Sequence, residues 1–136
     1  MRNKQGGYTL IELLTAVTVL GIISVIAITS YISQVKKSRR NDAIESILSI
    51  PLAESRYRTS NSQYGTLAQV WGGVTTTAEG YYTLAISNIS ATSYTITATA
   101  QGTQASDTAD GTSCTTLSFA QASGSVTKSP SACWPK

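Results

Sequence analysis

Residues 8–28 read Tyr-Thr-Leu-Ile-Glu-Leu-Leu-Thr-Ala-Val-Thr-Val-Leu-Gly-Ile-Ile-Ser-Val-Ile-Ala-Ile, with one charge, Glu12, and no proline. As a helix this stretch is roughly 31 Å long at ~1.5 Å per residue, near the thickness of a bilayer's hydrocarbon core. A helix apolar on all sides cannot serve as one face of a small soluble domain. It needs lipid, or other helices as apolar as itself. A cleavable secretory signal is the competing reading, and it would place its small-residue cleavage site after the apolar run. Only Ala27-x-Thr29 stands there, and it is a poor site; the small pair Gly6-Gly7 precedes the run instead.

Helical spacing continues past this block but changes character. Ile32 and Val35 extend one face, then Ile44, Ile47, Leu48, Leu52 and Ala53 keep i, i+3, i+4 spacing, with Asp42, Glu45, Arg56 and Arg58 available for the outer side. The reading is one long helix over 8–28 and 29–60, half in lipid and half lying on a soluble domain. Pro51 is expected to kink or divide it. Asn61 and Gly72-Gly73 mark a loop over 61–80.

Strands follow. In 81–87, Tyr82, Leu84 and Ile86 alternate with Thr83 and Ala85; in 93–100, Tyr94, Ile96 and Ala98 alternate with Thr95, Thr97 and Thr99. Both fit half-buried strands of an antiparallel pair. After a Gly/Asp/Ser-rich loop at 101–111, residues 113–119 form a third strand with Leu117 and Phe119 inward. Residues 120–136, holding Gly124, Pro130 and Pro135, read as a loop.

Only 12% of residues are charged, and Ser, Thr, Ala and Gly dominate beyond the apolar block. That balance suits an exported, β-rich surface. Cys114 and Cys133, an even pair, read as one disulfide if the chain is exported, and as two reduced thiols if it is cytosolic. The chain has no histidine, which excludes histidine-based acid–base and metal chemistry. No nucleophile–base constellation and no phosphate-cradling glycine loop is visible, so the expectation is no enzyme, no cofactor and no metal. Asp107, Asp110 and Gly111 resemble a fragment of a calcium loop, but a turn accounts for them better.

The formal net charge of +3 includes Arg2 and Lys4 in the short head. More informative is the run Lys36, Lys37, Arg39 and Arg40. It can touch lipid phosphates, acidic side chains of neighbouring subunits, or DNA. Counting positive flanks alone would put the β-rich part in the cytoplasm, which conflicts with the cysteine pair.

Glu12 needs a cause. Insertion scales put an acid at a helix centre at roughly +2.5 to +3.5 kcal/mol. Glu12 lies near the helix end, where the cost is lower, so a tolerated near-interface glutamate is one reading. The other is a charge that seeks a cation. A cut after Gly7 would give Tyr8 a free α-amino group four residues from Glu12, on the same helix face. An axially shifted neighbouring helix could then pair its Tyr8 amine with this Glu12, and such a pair gains most where water is excluded. The small residues Thr15, Thr18, Gly21, Ser24 and Ala27, at i+3 spacing, likewise have two readings. They can allow close helix approach, or their hydroxyls can simply bond back to their own helix.

The segment Lys4-Gln5-Gly6-Gly7, Tyr8-Thr9-Leu10-Ile11-Glu12-Leu13-Leu14 resembles the type IV prepilin signature. The pattern Tyr82-Thr83-Leu84, Tyr94-Thr95-Ile96-Thr97-Ala98, Cys114-x-x-Leu117 and Cys133-Trp134 extends the resemblance to PilE-like pilins, often minor ones. Tyr8 stands where the family usually has Phe, and Thr29 where it often has proline. The resemblance implies an α+β fold: a long N-terminal helix on a small antiparallel sheet, with a disulfide-closed C-terminal loop. It implies a leader over 1–7 cut by a prepilin peptidase between Gly7 and Tyr8, N-methylation of Tyr8, and Glu12 as the residue needed for processing and assembly. It further implies an inner-membrane precursor, a pilus assembly platform and polymerisation with other pilins, for adhesion, twitching motility or DNA uptake. A type II secretion pseudopilin (in a periplasmic pseudopilus) and a DNA-receptor competence pilin are the alternatives.

Overall fold

A computed structural model of the chain describes residues 7–135. Its first element, α1, spans Leu10–Arg58. By compactness the chain divides into residues 1–35 and residues 36–136, each described by itself.

In the first unit α1 begins behind Thr9. The Thr9 side-chain oxygen accepts the Glu12 N–H at 3.3 Å, and the Thr9 carbonyl accepts it at 3.1 Å. Thr-x-x-Glu is the spacing of a capping box, and an acid in the first turn suits the positive end of the helix dipole. Apolar side chains along this stretch are bare: Val17 is 61% and Ile26 67% exposed. No part of the most apolar window is buried, and the helix is long and apolar enough to cross a membrane. Thr15, Thr18 and Ser24 donate their hydroxyls to carbonyls three or four residues back, at 2.8–3.1 Å. Of the two readings of that row, back-bonding is therefore made for these three residues.

In the second unit α1 lies on a four-stranded antiparallel sheet. The strands are β1 (Tyr82–Ser87), β2 (Ser93–Ala100), β5 (Thr116–Ala122) and β6 (Ser125–Ser129), in the order β1-β2-β5-β6. Two short strands, β3 (Thr108–Ala109) and β4 (Thr112–Ser113), form a separate hairpin. Asp110 and Gly111 between them both have positive φ, 49° and 76°. This is the two-residue Asp-Gly turn that matches strand twist.

The core follows from two periodicities. On α1 the buried residues are Arg40, Ala43, Ile44, Ile47, Ile50 and Glu54. On the sheet, Leu84, Ala98 and Leu117 share one cross-strand row, and Ile86, Ile96 and Phe119 the next. Tyr82 and Tyr94 complete the packed face. Cys114 and Cys133 are joined as a disulfide, Cα to Cα 5.7 Å, which pins the C-terminal segment beside Leu117 in this core.

Several expectations need correction. Leu48 and Leu52 are 44% and 59% exposed, not part of the packed face. At about 100° per residue they sit roughly 100° and 140° from the centre of the buried stripe, because repeated i+4 steps drift off one face. Ile50 and Glu54 stay on it. Pro51 lies inside α1 without dividing it; Ile47 and Ile50, just before it, and Glu54, just after, are all buried in the same face. The segment 61–80 is not all loop, since α2 (Leu67–Val70) forms there, with the Gln69 side chain accepting the Thr66 N–H at 2.8 Å. Residues 120–136 hold a whole strand, β6, whose residues are all exposed. An edge strand with nothing buried leaves no apolar alternation to read. Residue 113 belongs to the β3–β4 hairpin, so the third strand of the sheet starts at Thr116.

Candidate functional site

The N-terminal segment and the basic run beyond it carry the functional residues foreseen from sequence. Gly7 is exposed and Tyr8 is 88% exposed ahead of α1. Glu12 is exposed in the first helical turn. The sequence signal for the Thr9 cap ahead of it is the Thr-x-x-Glu spacing. In that cap the Thr9 oxygens take the Glu12 backbone N–H, and the acid stands at the positive end of the helix dipole. Met1 to Gly6, and with them most of the predicted leader, lie outside the described residues.

The four cations at 36–40 do not form one exposed patch. Lys36 Nζ donates to the Ser106 hydroxyl at 2.8 Å and to its carbonyl at 3.3 Å. The Arg39 guanidinium lies 3.7 Å over the Tyr81 ring, a cation–π placement. Arg40 is buried and paired with Asp107 at 3.0 Å, and the same Nη1 is 3.0 Å from Cys114 Sγ. Arg40 is therefore not available to an outside partner, which removes it from the expected lipid, subunit or DNA contacts. Its position was readable: Arg40 precedes Ala43 and Ile44 by three and four residues, on the face that packs. Lys37 remains exposed and lines a cleft of about 460 Å³ together with Asn41, Asp110 and Trp134.

Other residues had no sequence signal. Gln104 is fully buried and donates from Nε2 to the Lys36 carbonyl at 2.9 Å and to the Tyr82 hydroxyl at 3.1 Å. Burial raises the Tyr82 phenol above its ordinary range, and the Gln104 hydrogen bond partly offsets that. The Asp107 carboxylate is taken by Arg40 and Asp110 sits in the hairpin turn, so the calcium-loop resemblance has no shared site. Trp134 is buried, with its indole N–H donating to the Ser129 carbonyl at 3.3 Å.

The profile of the family described as "Type IV minor pilin ComP, DNA uptake sequence receptor" matches residues 29–118, well over half of the chain. The profile of the prokaryotic N-terminal methylation motif matches residues 2–28. The chain belongs to the type IV minor pilin ComP family. No curated protein matches it. As a type IV pilin it is a pilus subunit that assembles with other pilins, and its leader motif and apolar helix are those of an inner-membrane precursor. The bare apolar half of α1 is the physical counterpart: it is long and apolar enough to cross a membrane.

Proposed function

We propose that this pilin is a minor subunit that displays its sheet domain on the pilus and binds DNA there for uptake, without catalysing a reaction. The observation that carries the reading is the match of residues 29–118 to a family described as a DNA uptake sequence receptor. The charges support it. Among the described residues the one salt bridge is Arg40–Asp107. Lys36, Lys37, Arg39, Arg56, Arg58 and Lys128 thus keep their charge free of any carboxylate, as phosphate contacts require. The test is binding of the soluble part, residues 36–136, to double-stranded DNA over a range of salt. Affinity that falls steeply with salt supports the reading. No binding at low salt removes it and leaves a purely structural subunit.

Processing belongs to the same reading. A prepilin peptidase cuts between Gly7 and Tyr8, Tyr8 is N-methylated, and an assembly platform draws the subunit from the membrane. The new Tyr8 amine then pairs with Glu12 of a neighbouring subunit in the filament core. The Gly7-Tyr8-Thr9-Leu10-Ile11-Glu12 sequence and the methylation-motif match support this. Mass spectrometry of the pilus-borne N-terminus tests it: a methylated Tyr8 start is expected, and any other start overturns it.

A further inference from the structure

Glu54 and Asp107 are the buried carboxylates among the described residues. Asp107 has Arg40 beside it. Glu54 has no cation. Its Oε2 accepts the Gly65 N–H at 2.8 Å, while its Oε1 is buried with no hydrogen-bond partner. A carboxylate needs several donors to remain charged out of water, and this one has a single amide.

The surroundings are aromatic. From β2, Tyr94 faces it; from the segment 59–66, Tyr64 meets Tyr94 edge-on with centroids 4.6 Å apart. From α1, Tyr57 packs against Gly65. Arg58 is the nearby cation, but its guanidinium donates to the carbonyls of Asn61, at 2.6 Å, and Ala91, at 3.1 Å, and lies 5.3 Å from the Tyr64 ring. It forms no salt bridge with Glu54. Gly65 lets the segment come this close: a Cβ there would stand 2.5 Å from Val70 Cγ1 and 3.1 Å from Tyr57 Cδ1.

We propose that Glu54 is a proton-operated clasp, holding residues 59–66 against α1 and β2 when protonated and loosening them when it ionises. Burial raises the Glu54 pKa above its ordinary 4.5, outweighing the Gly65 hydrogen bond that lowers it. With the segment lifted, Glu54 meets water and returns to the ordinary range. The closed form therefore holds the proton more tightly than the open one, and closure weakens as pH rises above 4.5 toward the raised value. Opening detaches Tyr64 from Tyr94 and frees Arg58 from Asn61. The far end of the domain is thus tightened by acid and relaxed toward neutrality.

Amide exchange on the full-length pilin in detergent micelles tests this, comparing the native chain with Glu54→Gln from pH 4.5 to neutrality. Glutamine keeps the acceptor for Gly65 and cannot ionise. The native-to-variant ratio of Gly65 exchange is expected to climb with pH, by at most about tenfold per unit for one proton. A ratio that stays flat overturns the clasp. The Glu54 carboxyl carbon shift of the native chain provides a reading that needs no variant. It is expected to titrate above 4.5 in step with Gly65 exchange relative to Ile96 in the core; titration at or below 4.5 overturns the proposal.

Discussion

Arg40 on α1 and Asp107 ahead of β3 form a 3.0 Å ion pair inside the domain, with side chains only 9% and 3% exposed. The Asp107 carbonyl also accepts the Cys114 N–H at 2.9 Å, so the pair seats one end of the disulfide against the helix. Removing a single partner leaves a buried charge uncompensated, which costs about 3–5 kcal/mol. Asp107→Ala is expected to destabilise residues 36–136 by that order in urea unfolding. Replacing both partners with apolar residues is expected to cost less than either single change.

The disulfide closes a separation of 19 residues. In the chain-entropy model a loop of this size stabilises by roughly 3 kcal/mol. Cys114→Ser with Cys133→Ser is expected to lower the unfolding midpoint accordingly. Because Cys114 and Cys133 are both buried, mild reductant should act slowly on the native pilin and quickly once it is unfolded. Thiol labelling against time at several urea concentrations checks this.

Tyr94 is 3% exposed, and its phenol is pushed up to about 12, chiefly by burial. Unfolding returns it to an ordinary 10, so between pH 10 and 12 the unfolded chain holds fewer protons than the native one. Stability should therefore fall as pH rises through that window. Tyr94→Phe is expected to flatten this alkaline loss, measured by thermal unfolding alongside phenolate absorbance.

The basic run separates fold from function. Lys37 is exposed, so Lys37→Gln is expected to leave stability unchanged, within about 0.5 kcal/mol. If Lys37 meets a DNA phosphate, the same change lowers the log–log salt slope of binding by about 1. Arg40→Gln should do the reverse, unfolding the domain before it alters the salt slope. Anisotropy titrations over a range of salt, with circular dichroism of each variant, distinguish the two.

The sequence revealed most where one periodicity ran without competition. The bare half of α1, β1 and β2 were legible because a predominantly apolar run over 8–28, or a clean two-residue alternation, leaves few other folds. Leu48 and Leu52 misled because they are apolar and correctly spaced from Ile44, whereas the sheet selects the neighbouring face through Ile50 and Glu54. Strand β6 could not be read because Ser125, Val126, Thr127, Lys128 and Ser129 are all exposed. Of the site, Glu12 and the cysteine pair were visible as chemistry. The Arg40–Asp107 and Glu54–Gly65 contacts were not, since each joins residues whose meeting depends on the folded sheet.

In the proposed assembly the Glu12 charge draws subunits into the filament once Tyr8 has a free amine. Glu12 also stands in the first turn of α1, behind the Thr9 cap, so Glu12→Ala confuses loss of the partner charge with a poorer helix start. Glu12→Gln does not, because glutamine serves at that position of a capping box. The decisive measurement is the yield of sheared pili from cells carrying Glu12→Gln, with expression and cleavage after Gly7 verified by mass spectrometry. Normally processed subunits left in the membrane, with few or no pili, are expected. Pili at the native yield would contradict this assembly.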